Sequence, residues 1–257
     1  MNQLSVVIIS FNEEKNIERC LKSVQWADEI VVLDSFSTDR TLEICKRYTN
    51  CVFQGEWRGY GAQKNLCADK ASHSWVLNLD ADEAVTPEGA EEIQRMLSQQ
   101  LEFPAYDFPR KNFIGERWIR FCGWYPDRII RLYDKRVVRF TEGKVHERLQ
   151  PDDRVGAMRE ALLHYSFHDM ADYVQRQNRY SSLAASERAG SGKKSGWANL
   201  ILNPLWVFLK CFFLRQGFRE GRLGFFISAS MAYYTFLKYA KVGEELEKLE
   251  RRPDDEG

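Results

Sequence analysis

The sequence predicts an α/β fold, a mostly parallel sheet with flanking helices, followed by an apolar helical region near the C-terminal end. Strand-like and helix-like segments alternate four times within roughly the first 100 residues, the pattern of a parallel sheet with crossover helices. The strands are continuous Val/Ile/Leu runs, as expected of strands covered on both faces. Beyond a Gly/Ser/Lys linker at 190–196, aromatic and aliphatic residues bunch in two stretches, 197–214 and 223–239.

Residues 4–10 form the first strand, bounded by Asn12, Glu13 and Glu14. Residues 16–25 have helical spacing, with Ile17, Cys20, Leu21 and Val24 on one face. A second strand, 29–33, ends at Asp34, and Ser37, Thr38 and Asp39 read as an N-cap cluster ahead of Leu42, Ile44 and Cys45. A short strand at 51–53, a helix at 60–71 and a strand at 75–79 follow, the last running into Asp80, Ala81, Asp82 and Glu83; Pro87 opens the next helix. From 105 onward the pattern changes to short strands at 105–110, 129–133 and 162–167. A loop carrying Trp118, Phe121, Trp124 and Tyr125 lies among them, and a helix at 169–189 follows.

The 257 residues include 37 basic and 37 acidic side chains, a balance that argues against a protein coating nucleic acid, so no nucleic-acid partner is expected. An aromatic fraction of 13% argues against disorder. Six cysteines, at 20, 45, 51, 67, 122 and 211, have neither Cys-x-x-Cys nor zinc-site spacing and read as reduced thiols. The apolar run at 4–9 lacks a basic lead and is too short for a secretory signal, so export is not expected.

Ligands of open α/β sheets sit at the carboxyl ends of the strands, which singles out Asn12, Glu13, Asp34, Asp80 and Asp82. In Asp80-Ala81-Asp82, two carboxylates two residues apart can hold a hard divalent cation while diphosphate oxygens complete its octahedron. The alternative is an acidic approach to a helix N-terminus, since Thr86 and Pro87 follow. Gly59-Tyr60-Gly61 and Gly192-Lys193-Lys194-Ser195 fail the spacing of nucleotide-binding glycine loops.

Four motifs agree in order and spacing: 4–10 with Phe11-Asn12-Glu13-Glu14; Val32-Leu33-Asp34-Ser35-Phe36-Ser37-Thr38-Asp39-Arg40-Thr41; Gln63-Lys64-Asn65; and Leu79-Asp80-Ala81-Asp82-Glu83. Together they resemble the nucleotide-binding half of family 2 glycosyltransferases with the GT-A fold, and more narrowly the lipopolysaccharide inner-core β-1,4-glucosyltransferase group. The resemblance implies transfer of one glucose from UDP-glucose to a heptose of a lipid-linked acceptor. It implies a nucleotide-sugar site at Ser10, Asn12, Glu13, Asp34, Lys64 and Asp80, with Asp34 accepting from uracil and Lys64 near the diphosphate. It also implies a divalent metal, Mg²⁺ or Mn²⁺, on Asp82, Asp80 and His164, with Asp82 the stronger ligand. Ser35 departs from the second Asp of many relatives. Glu147, in Gly143-Lys144-Val145-His146-Glu147, resembles the late His-Glu element and is the expected base; Trp118, Trp124, Arg128 and His146 are the expected acceptor contacts. A satisfied core histidine is the alternative for His164, and a second small core the alternative for the aromatic loop.

One base and one metal imply a single in-line displacement with inversion. Gln175-Arg176-Gln177-Asn178-Arg179-Tyr180 misses the Gln-x-x-Arg-Trp element of processive synthases, so one sugar per encounter is expected. Other readings are a cell-surface polysaccharide or polyprenyl-phosphate acceptor, a nucleotidyltransferase, and an inactive nucleotide-sugar-binding scaffold. The expected organisation is a catalytic domain at 1–190 (nucleotide-sugar half 1–104, acceptor half 105–190), a membrane-associating helical region at 197–243 and a charged tail at 244–257.

A spanning helix needs about 20 apolar residues, whereas 197–214 is interrupted by Asn199, Asn203, Pro204 and Lys210. Lys210, Arg215, Arg219 and Arg222 face Glu220 alone between the apolar stretches. That arrangement suits a monotopic anchor on the cytoplasmic face of the membrane, drawn to anionic lipid. The alternative is a helical pair folded on the catalytic domain, or a homo-oligomer formed through these helices.

Overall fold

All seven residues of β1 (Leu4–Ser10) are buried, because the strand lies between two neighbours and beneath a helical layer on each face. Alternate side chains serve the two layers, as the two-residue period of a strand requires. Val6 and Ile8 join a cluster with Leu21, Ile44, Leu77 and Ile93. Val7 and Ile9 join another with Val31, Leu33, Cys67 and Tyr133.

A computed structural model describes residues 2–141 and 154–250. After β1 come α1 (Ile17–Ser23), β2 (Glu29–Asp34), α2 (Thr41–Cys45), β3 (Cys51–Gln54), α3 (Tyr60–Lys70), β4 (Trp75–Asp80), β5 (Glu83–Ala84) and α4 (Pro87–Leu97). Then follow β6 (Ala105–Ile114), β7 (Arg117–Trp118), β8 (Asp127–Asp134), β9 (Gly156–Ala157), β10 (Leu162–Phe167) and α5 (Met170–Gly190). Last among the described residues come α6 (Trp197–Leu209), a π-helical extension (Lys210–Leu214), a 3₁₀ turn (Gly217–Glu220) and α7 (Arg222–Glu250).

The sheet order is β3-β2-β1-β4-β8-β6-β10-β5. β3, β2, β1 and β4 run parallel, while β8 pairs antiparallel with β4 and β6, and β10 antiparallel with β5. The change falls where the sequence no longer places a helix between strands, so the parallel half carries the crossover helices. The register sets Ser10 opposite Asp34 and Ile9 opposite Asp80, which brings the polar ends of three strands to one edge.

The chain divides into two compact units, Met1–Lys111 with Pro126–Ser166, and Asn112–Tyr125 with Phe167–Gly257. This division does not fall at the 190–196 linker expected from sequence. The physical reason is that α5 packs along α7, which draws the residues before the linker into the second unit. That unit has its own core of Ile114, Ile119, Tyr173, Cys211, Leu223 and Ile227. No residue of α6 is buried. Pro204 lies inside that helix without ending it, so the Leu200 carbonyl lacks its usual amide donor. With its extension, α6 forms the one helix among the described residues that is long and apolar enough to cross a membrane by length and composition. The six cysteines are free thiols, and burial pushes those of Cys45 and Cys67 up to about 12.

Ile8 is fully buried in the first core cluster. Ile8→Ala is expected to cost about 2–5 kcal/mol through lost transfer energy and the cavity left behind. The shift of the urea midpoint measures that loss, and a change under about 1 kcal/mol, the size of a single Ile→Val loss, would contradict the packing described.

Candidate active site

The parallel strands end in loops that are laced together by short polar side chains. Asp34, fully buried, accepts from Ser10 Oγ at 3.1 Å on one oxygen, and from the Ser37 backbone N–H at 2.9 Å and Gln54 Nε2 at 3.3 Å on the other. The Ser37 hydroxyl donates to Asp34 and accepts from the Asn12 backbone N–H at 2.8 Å. Asn12 is left-handed at φ 55° and its Oδ1 accepts from the Thr38 N–H at 2.8 Å. The Glu13 N–H donates to Thr41 Oγ1 at 2.7 Å, while Glu13 Oε2 accepts from Asn16 Nδ2 at 2.9 Å.

These bonds correct two expectations. Ser37 and Thr38 do not cap α2 but tie the loop after β2 to the loop after β1; Asp39 does both, its Oδ1 accepting from the N–H of Thr41 at the start of α2 at 2.9 Å and its Oδ2 from the Glu14 N–H, while the N-cap position itself, Arg40, makes no side-chain cap bond. Asp34 is turned into the protein with both oxygens engaged, so in this state it shapes the loop and does not present a free carboxylate to a base. Phe11 and Phe36 are the exposed large apolar side chains on the two loops, beside exposed Asn12 and Thr38.

Behind this edge lies a run of paired charges centred on buried Lys64, Arg131 and Glu83. Lys64 is 4% exposed and its Nζ sits 2.9 Å from Asp80 Oδ1. Arg131, 1% exposed, pairs with the other Asp80 oxygen and with Glu83 Oε1 at 2.7 Å. Arg110 joins Glu83 at 3.2 Å and Asp127 at 2.6 Å. Burial alone would raise the Asp80 carboxyl, but Arg131 and Lys64 outweigh it and hold Asp80 well below the usual carboxylate range. Burial disfavours the charged Arg131, yet Asp80 and Glu83 raise its affinity for the proton further. Lys64 is therefore a buried counter-ion to Asp80. Asp80 is correspondingly engaged by two cations while its side chain stays 31% exposed at the strand end.

Asp82 is placed differently. β5 pairs antiparallel with β10 so that His164 lies opposite Glu83, and the Tyr165 N–H donates to the Asp82 carbonyl at 2.9 Å. His164 Nε2 thereby comes within 3.5 Å of Asp82 Oδ2. Both groups are about a fifth exposed, at 17% and 19%. His164 Nδ1 is 2.9 Å from Ser166 Oγ, which also lies 3.4 Å from the His164 carbonyl. When the Ser166 proton points to that carbonyl, Nδ1–H donates to Ser166 and Nε2 keeps its lone pair for a ligand.

An oxygen and an imidazole nitrogen converging on one partly open point fit a divalent cation that takes its remaining ligands from diphosphate and water. Among the described residues no group of three or more His, Cys, Asp and Glu donors gathers at one point. Glu147 and His146 lie outside the described residues.

Arg128, in the first unit, bonds Asp107 Oδ1 at 2.6 Å and the Met158 carbonyl at 2.9 Å, so its acceptor role would compete with an ion pair. In the second unit Trp124 is partly buried and packs on Phe167 and Tyr173 against the small core, the alternative weighed for the aromatic loop. Trp118 stacks edge-on against Tyr125 at 5.4 Å and carries the Arg120 guanidinium over its ring at 4.5 Å.

The residues that sequence reasoning missed are Arg131, Glu83, Arg110, Ser37 and Gln54. Arg131 had a signal: it is a charge inside the apolar run Ile129–Ile130–Arg131–Leu132–Tyr133, where burial demands a partner.

The profile of the family described as glycosyl transferase family 2 matches residues 5–149, the span that contains the whole parallel half of the sheet and Asp80 to Glu83. The chain belongs to the family 2 glycosyltransferases. This transferase is 31% identical to the lipopolysaccharide core biosynthesis glycosyltransferase LpsC of Rhizobium meliloti, over 98% of this chain and 95% of that one. It is 32% identical to an uncharacterized glycosyltransferase, RT0209, of Rickettsia typhi, over 95% and 88%. Among solved structures, S. aureus TarS 1-349 aligns over 97% of this chain and 91% of its own with a TM-score of 0.48 and 16% identity.

Arg131→Met leaves buried Glu83 and partly exposed Asp80 beside fewer cations and is expected to destabilise the transferase by about 3–5 kcal/mol. Because the folded-state pKa of Asp80 is depressed, its contribution is present above the ordinary value of about 3.9 and is lost as pH falls through the lowered one. Urea titrations of parent and variant across the acid range should show a shallower loss of stability on acidification for Arg131→Met, because its Asp80 carboxyl is less depressed and the folded and unfolded states then differ less in bound protons. Coincident profiles would contradict the counter-ion role.

Proposed function

We propose that this transferase moves a single hexose, glucose from UDP-glucose, to a heptose of a lipid-linked lipopolysaccharide inner core, with inversion at the anomeric carbon. The observation that carries the reading is the approach of His164 to Asp82 at the strand edge where Ser10, Asp34 and Asp80 also end. The acceptor class is supported by the likeness to LpsC, a lipopolysaccharide core biosynthesis glycosyltransferase. The donor rests on the resemblance of the four sequence motifs. An acceptor from another surface polysaccharide, or a polyprenyl phosphate, would use the same donor site.

Asp82 and His164 would hold the Mg²⁺ or Mn²⁺, which when bound supplies a positive charge against the diphosphate. Asp80, fixed by Lys64 and Arg131, sits as an oriented acceptor for a donor hydroxyl. Glu147 takes the proton of the acceptor hydroxyl as its oxygen bonds to the anomeric carbon and the bond from that carbon to the UDP oxygen breaks. Ser10, Asn12 and Glu13 frame the nucleotide through the laced loops.

The second unit supports attachment to the cytoplasmic face of the membrane. α6 and its extension expose Trp197, Ile201, Leu202, Leu205, Trp206 and Leu214. A continuous apolar face of this kind marks an interaction surface. Removal of 197–257 would also strip Cys211, Leu223 and Ile227 from the second core, so point changes are the cleaner probe.

Thermal shifts with UDP-, GDP- and dTDP-glucose, with and without Mn²⁺, test the donor. A metal-assisted shift with the UDP sugar is expected, and Asp82→Asn or His164→Ala should abolish the metal-dependent part. No nucleotide-dependent shift would overturn the reading. Glu147→Gln should retain the UDP-glucose shift and lose at least about 100-fold in turnover; unchanged turnover removes Glu147 as base. Ile201→Ser with Trp206→Ser should lower sedimentation with vesicles. If light scattering shows instead that the pair dissociates a dimer, the face belongs to a second copy.

A further inference from the structure

We infer that a cleft in the second unit binds the phosphate of an anionic membrane-lipid headgroup; the inference rests on the membrane attachment proposed above and adds to it a specific anion site. The cleft, about 500 Å³ and open to solvent, lies between the aromatic loop and the end of the α6 extension. Trp118, Arg120, Tyr125, Leu214, Arg215 and Gln216 are among its walls.

The charges around the cleft are unequal in their use. Glu220, the buried acid of this region, is fully committed. Its Oε1 accepts from the Arg120 and Phe121 backbone N–H groups at 2.8 and 3.2 Å, and its Oε2 faces Arg117 Nη2 at 3.4 Å. Arg117 also donates to the Glu220 carbonyl at 2.9 Å. Arg120 and Arg215 are left on the cleft wall, and neither forms an ion pair with a carboxylate of the described residues. Arg219 stands next to them, over the Phe121 ring at 4.4 Å and bonded to Gln216 Oε1 at 2.8 Å.

Both cleft arginines are held in place by packing. The Arg120 guanidinium stacks on Trp118. Arg215 lies across Gly123, which is in the left-handed region at φ 80°, and a Cβ there would run into the Arg215 side chain. The Arg215 carbonyl accepts from the Cys122 N–H at 3.0 Å, which pins the backbone beneath. Guanidinium groups stacked in this way lose less freedom on binding and offer planar pairs of donors suited to phosphate oxygens.

What borders the cleft decides the source of the phosphate. Leu214, 66% exposed, is one of its walls, and Phe213 and Phe218 are exposed beside it in the chain. A cationic cleft continuous with an apolar face is complementary to an amphiphile whose phosphate enters the cleft while its chains meet α6. A soluble phosphate would have no use for the apolar rim.

The test uses the full chain and vesicles of phosphatidylcholine alone or mixed with phosphatidylglycerol. Flotation should show binding to the mixed vesicles, weakened about tenfold or more in Arg120→Gln/Arg215→Gln, at the usual contribution per basic residue near an anionic surface. Lys193→Gln/Lys194→Gln removes the same charge from exposed linker positions and should change binding by less than about twofold. Arg120→Lys/Arg215→Lys keeps the charge and loses the planar donors; it should behave like the Gln pair, and it decides the matter should the Gln pair fail to fold by circular dichroism. Parent-like binding by the Lys pair, or equal losses in the linker pair, would overturn the site in favour of bulk attraction. Release of the parent by inorganic phosphate at constant ionic strength would overturn the lipid source. If the parent binds both vesicle types equally and the Gln pair still binds, the headgroup site falls and membrane attachment stands. If the parent binds neither, attachment itself falls.

Discussion

Arg131 is the constraint on which the candidate site depends. A guanidinium buried in a sheet is tolerable only when its charge is matched. Here it meets Asp80 and Glu83, one on β4 and one on β5, from its own place on β8. Lys64 approaches the other side of Asp80 from α3, and Arg110 the other side of Glu83 from β6. Five elements are thus tied by charges that cannot be separated without leaving an ion stranded. The acidic turn that follows β4 inherits its position from this network.

The network also divides labour between two carboxylates that look equivalent in the sequence. Asp80 is held between two cations, whereas Asp82, two residues on, meets His164 arriving from β10. Spacing alone cannot reveal that difference. It comes from what lies behind each side chain, which is long-range information.

Much of the fold was legible in the sequence because it is local. The boundaries of β1, β2, β4 and α3 follow from apolar runs and the polar residues that stop them, and Thr86 with Pro87 opens α4 as expected, accepting from the Gly89 N–H. His164 and Asp82 could be named together from residue type and family resemblance, although not the strand pairing that brings them near each other. Illegible were the things that depend on pairing between distant segments: the inward turn of Asp34, the burial of Lys64, and the membership of α5 in the second unit. A side chain such as Trp or Lys suits a surface or an interior equally well until its partners are known.

The two-donor character of the Asp82 and His164 pair has a thermodynamic consequence. A cation bound there would owe most of its coordination to oxygens that the protein does not own. Its affinity and that of the diphosphate would then be linked reciprocally, each raising the other by the same factor. Neither ligand would need to bind tightly alone for the pair to be held, and loss of one would loosen the other, a built-in route for clearing the site after transfer.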